Sequence, residues 1–273
     1  MINFNRIKNF IDVELMNNNR ISVVGVGGMS EGVIDLCRSG ITSFILVDPD
    51  DYEDVNLATQ GGNIHDIGQA KVEVTKNRLS AINPNVKVTC IKKKYQDLSH
   101  DELTSFWNSN LVLMMTDSFD AQALGNKHSI KYQVPTIFAA SYMNQDALEI
   151  TWNAPGLTTH CHRCVTLSRY VERDNGYEQP TGAGSYVFTG RQLNAMIGQL
   201  ALSMLHHYGK SNLAIKEMIK KLGNNNFLLI KILPDYGIDS GVFEEVTPFS
   251  TKSFAPDTPK GFVCPDCGAE GVI

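Results

Sequence analysis

Short hydrophobic runs alternate with amphipathic stretches along the first half of the chain. The runs are rich in Val, Ile, Leu and Phe, which favours buried strands, and they comprise residues 21–26, 43–48, 86–91, 111–115, 134–141 and 146–152. Apolar residues at helical spacing predict helices between them, over residues 28–39, 69–81 and 121–132. Strands and helices in this alternation are typical of a doubly wound, mostly parallel Rossmann-like α/β sheet.

The alternation stops after Trp152. Residues 165–188 show no clear period and contain many turn formers, so we expect a long crossover loop there. Helices are predicted over residues 191–207 and 213–222, and the run FLLIKILP predicts one more strand. The second half of the chain is therefore expected to differ in kind from the first.

Net charge and hydropathy bear on which broad class of protein the chain belongs to. A formal net charge of −5 does not favour a protein that coats nucleic acid. The chain has no run of about 18 apolar residues, so we expect no membrane-spanning helix. Its first residues, MINFNRIKNF, lack the apolar core of a secretory signal. These features predict a cytoplasmic protein without nucleic-acid or membrane partners.

A glycine-rich turn, GVGGMS, joins the first predicted strand to the helix after it. Such a turn lets backbone N–H groups approach a phosphate at a helix N-terminus, where the helix dipole favours negative charge. Gly25 and Gly27 fit the first two glycines of the dinucleotide pattern, whereas Ser30 occupies the third position. Asp48, at the end of the second strand, suits a ribose hydroxyl. A dinucleotide, ATP and a structural turn without a ligand all remain open at this point.

Four of the six cysteines form two Cys-x-x-Cys pairs, CHRC and CPDC. In a chain without a secretory signal, metal binding is favoured over disulfides. Four thiolates are the tetrahedral set that Zn²⁺ prefers, and the alternative is a group of reduced, metal-free cysteines. A zinc ion on these residues would attach the C-terminal segment to the start of the crossover; they are Cys161, Cys164, Cys264 and Cys267.

Polar motifs after the second strand decide between the nucleotides. They are PDDYEDVNLATQ, GQAK and MMTDSF, and each falls just past a predicted strand end or at a helix start, where α/β proteins bind ligands. Their order resembles the ThiF/MoeB/HesA family of ubiquitin-activating-type (E1-like) adenylyltransferases. The matching residues are Gly27, Gly28, Asp48, Asp50, Asn56, Leu57, Gln60, Lys71 and Asp117, followed by the paired cysteines. The resemblance implies one E1-like adenylation domain over residues 1–273, with a nucleotide-binding half at 1–152 and a C-terminal half at 153–273.

The resemblance implies ATP-dependent adenylation of the C-terminal carboxylate of a small ubiquitin-like or sulfur-carrier protein that ends in glycine. ATP and Mg²⁺ would be its cofactors, beside a structural Zn²⁺. The implied nucleotide ligands are Gly25, Gly27, Gly28, Asp48, Asp50, Asn56, Gln60, Lys71 and Asp117. Among them, Asp48 would hold the ribose, Lys71 would neutralise phosphate charge and Asp117 would bind Mg²⁺. Taken singly, Lys71 also fits a solvated helix lysine and Asp117 a helix N-cap.

The family has functional arginines at two further positions, and this chain lacks the first and matches the second. Thr59 occupies a position where the family has an arginine that would contact phosphates, and threonine lacks the arginine's fork of donors. Arg6 matches an arginine that reaches the partner subunit's active site, although it also fits a surface arginine on a short helix. If Arg6 acts in trans, the protein must form a homodimer.

The crossover lacks a cysteine that some relatives carry. Relatives that pass the activated carboxylate to sulfur have it where this chain reads QPTGAGSYVFTG, and Ala183 falls about at its place. The chain therefore either stops at the adenylate or has lost a nucleophile, and a conjugating enzyme or a sulfurtransferase would be a further partner. Two other functions stay open: a nicotinamide-dependent oxidoreductase, and an inactive scaffold that binds a partner, for which Thr59 is the best support.

Overall fold

The computed structural model describes residues 2–142, 147–177, 186–232, 249–255 and 258–271. They form two compact units, each with a strand ladder of its own. The first unit comprises Met1–Met115 and Tyr186–Lys221, and the second comprises Thr116–Ser185 and Leu222–Ile273. The α/β class predicted from the sequence is confirmed.

The secondary structure follows the predicted alternation through the first half of the chain. In chain order the helices are α1 Val13–Asn17, α2 Ser30–Arg38, α3 Lys71–Ile82, α4 His100–Trp107, α5 Phe119–Tyr132, α6 His162–Val165, α7 Leu167–Asp174, α8 Val187–Tyr208 and α9 Glu217–Leu222. The strands are β1 Arg20–Val24, β2 Ser43–Val47, β3 Lys87–Ile91, β4 Leu111–Met114, β5 Thr136–Ser141, β6 Ala147–Asn153, β7 Phe227–Lys231 and β8 Thr251–Phe254. Short 3-10 turns lie at Asp54–Ala58, Ile64–Asp66, Tyr95–Asp97 and Ala214–Lys216.

The first unit holds a parallel ladder in the order β3-β2-β1-β4. In its register Val24 at the end of β1 lies beside Val47 of β2 and Met114 of β4, so the carboxyl ends of these strands share one edge. The strand order reverses between β1 and β4, and α/β proteins bind ligands at such a switch point. Helix α2 packs against α3 and α8 within this unit.

The second unit holds an antiparallel ladder in the order β5-β6-β7-β8. The parallel ladder that the sequence predicts is thus found in the first unit. Every residue of β6 is buried, so this strand lacks the alternation of buried and exposed positions that normally marks an antiparallel strand. The direction of the later strands was therefore not visible in the sequence.

The predicted crossover loop over residues 165–188 begins instead with a helix. Residues Leu167–Asp174 form α7, which ends where Gly176, at a φ of 83°, donates its N–H to Arg173 O at 2.8 Å. Arg169 Nη1 on this helix donates to Glu149 Oε1 on β6 at 2.6 Å. This long-range ion pair holds α7 on the antiparallel ladder.

Ala183, proposed as the place of a lost nucleophile, lies outside the described residues. The single domain with halves at 1–152 and 153–273 stays a prediction. Within the described ranges, no helix is both long and apolar enough to cross a membrane.

Candidate nucleotide site and metal centre

The glycine turn and the end of β2 are tied together by Asp48. Gly25, which has a φ of 85°, donates its N–H to Val47 O at 2.9 Å. Asp48 is buried; its Oδ2 accepts from Val26 N at 2.8 Å and its Oδ1 accepts from Asp50 N at 3.0 Å. Burial raises the pKa of Asp48, and the two backbone donors partly offset the rise. Each carboxylate oxygen retains a lone pair that can accept from a hydroxyl group.

Lys71 places a buried cation beside this turn. Its Nζ lies 3.0 Å from Asp50 Oδ2, and the Lys71 side chain is 9% exposed whereas that of Asp50 is 62% exposed. The backbone follows the same pairing, because Lys71 N donates to Asp50 O at 3.0 Å. Burial rules out the alternative of a solvated helix lysine. The site therefore holds a fixed ammonium group whose counter-ion faces solvent.

Gln60 lies directly on the glycine turn. A Cβ atom built on Gly27 would lie 2.9 Å from Gln60 Oε1, so a side chain at this position would require the Gln60 amide to move. Gln60 Oε1 is buried and has no hydrogen-bond partner among the described residues. A buried unpaired acceptor is costly unless a ligand or a water supplies a donor. This oxygen is thus available to a hydrogen-bond donor, such as a hydroxyl group, on a molecule bound at the turn.

In the 3-10 turn before Gln60, the side chains of Asn56 and Thr59 form hydrogen bonds with the backbone of the same segment. Asn56 Oδ1 accepts from Glu53 N at 3.0 Å, and Thr59 Oγ1 donates to Asn56 O at 3.4 Å. Asn56 O also accepts from Gln60 N at 2.8 Å, which fixes the backbone at Gln60. Thr59 therefore offers no group comparable with an arginine fork, as its sequence position predicts.

Asp117 and Arg6 both have exposed side chains. For Asp117, the structure tests the alternative role as a helix N-cap. The N-cap of α5 is Ser118, whose side chain accepts from Ala121 N at 3.3 Å, so the alternative of Asp117 as the helix cap is wrong. Asp117 belongs to the second unit, and its role as a Mg²⁺ ligand stays a prediction. Arg6 lies in a turn near the N-terminus, and its role in trans stays a prediction as well.

Sequence reasoning missed Asn194, which supports the glycine turn. Asn194 on α8 is buried, and its Nδ2 donates to Gly28 O at 2.8 Å. The available signal was an asparagine on an apolar stripe of a long helix. Arg78, Glu31 and Arg191 were also missed, and they meet close to the same turn.

The four paired cysteines come together in the second unit. Their sulfur atoms all lie within 4.8 Å of one another, and three of the separations are 3.9 Å for Cys161–Cys164, 3.8 Å for Cys161–Cys264 and 3.6 Å for Cys164–Cys267. Tetrahedral zinc with Zn–S bonds of about 2.3 Å places its sulfurs about 3.8 Å apart. The thiols of Cys161 and Cys164 lower the pKa of Cys264 and of Cys267 by hydrogen bonding. The set fits Zn²⁺ and joins the C-terminal segment to α6.

A polar network surrounds the cysteine cluster and orients its parts. Asn126 on α5 is fully buried, and its Nδ2 lies 3.5 Å from Cys161 Sγ and 2.8 Å from Asp266 Oδ2. Arg163 Nη1 lies 3.4 Å from Asp266 Oδ1. Hydrogen bonds of this kind hold metal ligands in place and tune their basicity. Helix α5 and the two cysteine pairs therefore form one connected structure.

Comparisons with known proteins agree on one family. A model of the ThiF family matches residues 4–232 of this chain. The tRNA threonylcarbamoyladenosine dehydratase of Bacillus subtilis (strain 168) is 27% identical over 135 residues, which are 49% of this chain and 53% of that protein. The molybdopterin-synthase adenylyltransferase of Salmonella typhimurium is 29% identical over 209 residues, which are 72% of this chain and 77% of that protein. The chain thus spans about half the length of the first of these relatives.

MccB of Escherichia coli shares the fold. Its complex with AMPCPP and MccA matches at a TM-score of 0.69 and 21% identity, over 94% of this chain and 68% of that chain. Its complex with ATP matches at a TM-score of 0.68 with the same identity and coverage. At this identity the similarity establishes the fold alone.

Proposed function

Because this chain belongs to the ThiF family, we propose that it is an ATP-dependent adenylyltransferase that activates the C-terminal carboxylate of a protein partner. A carboxylate oxygen attacks the α-phosphorus of ATP, pyrophosphate leaves with the bonding electron pair, and the acyl-adenylate remains. The observation that carries the proposal is the arrangement at the carboxyl end of the parallel strands. There Gln60 lies on Gly27, and the buried ammonium of Lys71 faces the exposed Asp50. A close backbone turn and a fixed cation are groups that stabilise a polyphosphate chain.

Each residue of the site has a distinct role in this proposal. Asp48 accepts a hydrogen bond from a ribose hydroxyl, while Asn56 and Gln60 orient the phosphates. Lys71 neutralises the negative charge that grows on the phosphates as pyrophosphate leaves. Asp50 would lie near the metal and the ribose when both are bound. A Mg²⁺ ion held by Asp117 would neutralise further phosphate charge when bound.

The proposed partner is a small ubiquitin-like or sulfur-carrier protein with a C-terminal glycine. The name of the relative molybdopterin-synthase adenylyltransferase supports an adenylyltransferase that serves a protein partner. The active form would be a homodimer in which Arg6, exposed near the N-terminus, reaches the nucleotide of the partner subunit. A conjugating enzyme or a sulfurtransferase would receive the activated carboxylate.

Zinc has a structural role in this proposal. The donor set of four thiolates leaves no open position on a tetrahedral ion, so the metal would not take part in adenylation. Cys161, Cys164, Cys264 and Cys267 would instead anchor the C-terminal segment to the second unit.

Exchange of labelled pyrophosphate into ATP tests the proposal. The chain is assayed with Mg²⁺ and a small protein that ends in Gly-Gly, and the matched control is the same small protein with its C-terminus amidated. We expect exchange with the free carboxylate and none with the amide. Nicotinamide reduction without exchange would favour the oxidoreductase, and tight partner binding without exchange would favour the scaffold.

A further inference from the structure

A cluster of charged and polar side chains lies beneath residues 60–62, the segment that carries Gln60. We call it the Arg78 cluster, and its members are Ser30, Glu31, Tyr52, Arg78 and Arg191. They come from α2, the segment after β2, α3 and α8, all of which belong to the first unit. Glu31, Arg78 and Arg191 lie outside the motifs that indicated the nucleotide site. These three charged residues are therefore an addition to that site.

Glu31 holds two guanidinium groups in this cluster. Arg78 Nη2 donates to Glu31 Oε1, and Arg191 Nη1 lies 3.5 Å from the same oxygen. The side chains of Arg78 and Glu31 are 28% and 18% exposed, so their ion pair is less open to solvent than a typical surface pair. One carboxylate between two guanidinium groups leaves a net positive charge at the first turn of α2.

The double glycine of this segment lies directly on the cluster. A Cβ atom on Gly61 would lie 2.5 Å from Arg78 Nη1 and 2.9 Å from Ser30 Oγ, and a Cβ atom on Gly62 would lie 2.6 Å from the Tyr52 ring. A larger residue at either position would require these side chains to move, so the two glycines permit the close approach. The segment therefore packs directly on Arg78, Ser30 and Tyr52.

Two buried polar atoms around the segment have no hydrogen-bond partner among the described residues. They are Gln60 Oε1 and Arg78 Nη1, whereas the hydroxyl groups of Tyr52 and Ser30 interact with each other. Native proteins rarely leave such atoms unpaired, and they do so where a function, a water or a ligand uses them. Arg78 Nη1 donates and Gln60 Oε1 accepts, so the unpaired groups on the two sides of Gly61 are complementary in kind. This pattern indicates a segment that is held in place for a ligand.

We propose that Arg78 is a positioning residue for nucleotide binding, which supports residues 60–62 from below and thereby keeps Gln60 on Gly27. The inference rests on the proposed function, because it concerns the same nucleotide site. Thr59 turns its hydroxyl onto Asn56 O and brings no cationic group to the segment. The support comes instead from α3, through a guanidinium group that Glu31 fixes. Arg78 acts through Gln60 and does not touch the nucleotide.

Calorimetric titration with ATP and Mg²⁺ tests the proposal without a partner protein. We expect Arg78→Ala to weaken ATP binding about tenfold, the scale of losing a hydrogen bond to a charged group. Arg78→Lys restores part of the loss, because an ammonium group still pairs with Glu31 but lacks the fork. Lys76→Ala is the matched control, since Lys76 lies on the same helix and pairs with Glu73 at the surface. In the exchange assay Arg78→Ala raises the KM for ATP and leaves kcat within about twofold.

A second pair of measurements separates positioning from the loss of a positive charge. Glu31→Gln makes the site more positive, so a purely electrostatic role predicts tighter ATP binding, whereas the positioning role predicts weaker binding. In a double-mutant cycle, Arg78→Ala changes the ATP affinity of the Gln60→Ala protein by less than about twofold.

Three results would overturn this inference alone. They are parent-like ATP binding by a folded Arg78→Ala protein, tighter ATP binding by Glu31→Gln, and effects of Arg78→Ala and Gln60→Ala on the ATP affinity that multiply fully in the double-mutant cycle. Equal melting temperatures of parent and variants establish that each protein is folded. If Arg78→Ala does not fold, Glu31→Gln carries the test by the same criterion. Failure of the parent chain to bind ATP would overturn the proposed function and this inference together.

Discussion

Lys71 is the residue on which the proposed chemistry depends most directly. Its ammonium group is buried, and its ion-pair partner Asp50 is open to solvent. A cation fixed in this way needs no rearrangement when a phosphate approaches, which is the condition for effective electrostatic stabilisation of a transition state. A phosphate can take the place of the Asp50 carboxylate as counter-ion, so binding of ATP leaves the buried charge paired.

Lys71→Ala is therefore expected to lower the rate of pyrophosphate exchange by about 10²- to 10³-fold, the scale seen when one charge-stabilising group is removed. The helix should persist, because alanine has the highest helix propensity. Lys76→Ala on the exposed side of α3 is the control and should exchange at the parent rate. Exchange near the parent rate in Lys71→Ala would remove Lys71 from the mechanism.

Asp117→Ala tests the proposed Mg²⁺ ligand. Asp117 is exposed and is not the cap of α5, so its loss should leave the melting temperature unchanged while exchange disappears. Asp120→Ala is the matched control, because Asp120 lies in the first turn of the same helix and faces Arg173 at 3.8 Å. Equal exchange by the two variants would show that position 117 has no special role.

Local sequence patterns explain which helices and strands could be predicted from the sequence. The parallel strands β1, β2 and β4 are short, mainly hydrophobic runs, and all were predicted within about two residues of their ends. Helix α4 was overlooked although Ser99 and Glu102 form a capping box at its start. Helix α7 was also overlooked, although it is amphipathic; its Arg169–Glu149 ion pair with β6 was not visible in the local sequence.

The cysteine cluster is the element-scale feature that sequence spacing predicted best, because each Cys-x-x-Cys pair is a local motif. We expect about one zinc ion per chain in protein purified without chelators. Cys264→Ser should reduce the metal content and make residues 258–271 more susceptible to proteolysis, since their anchor to α6 is lost. Cys90→Ser, which lies outside the cluster, should retain the metal. Metal analysis well below one zinc per chain in the parent would contradict the site.

At the scale of the whole molecule, the candidate site depends on contacts between segments far apart in sequence. The motifs placed Gln60 and Lys71 in the site, but they did not show that Gln60 lies on Gly27 or that Arg78 lies under Gly61. These contacts arise when α2, α3 and the segment after β2 pack together. The sequence therefore predicted a list of site residues, whereas it did not reveal the side chains that pack against them.

The two cysteines outside the metal cluster bear on whether the chain forms a thioester. Burial raises the pKa of Cys37 to about 11 and that of Cys90 to about 12, so both thiols stay protonated and unreactive at neutral pH and remain mainly protonated at pH ~9. We expect no covalent adduct with the partner under ATP that a thiol reagent releases. Denaturing mass spectrometry checks this, and Ala183→Cys tests whether a thiol at that position creates the adduct. A thiol-sensitive adduct in the parent chain would contradict the prediction.

The proposed reaction joins AMP to a carboxylate, and the mass of the partner after reaction with ATP and Mg²⁺ tests it most directly. We predict a partner heavier by one adenylyl group at its C-terminal carboxylate, with one pyrophosphate released for each adenylate formed. Lys71→Ala should slow this mass change about 10²- to 10³-fold under the same conditions. Release of ADP and inorganic phosphate in place of pyrophosphate, or an unmodified partner in the presence of parent protein with bound ATP, would contradict the proposed adenylation.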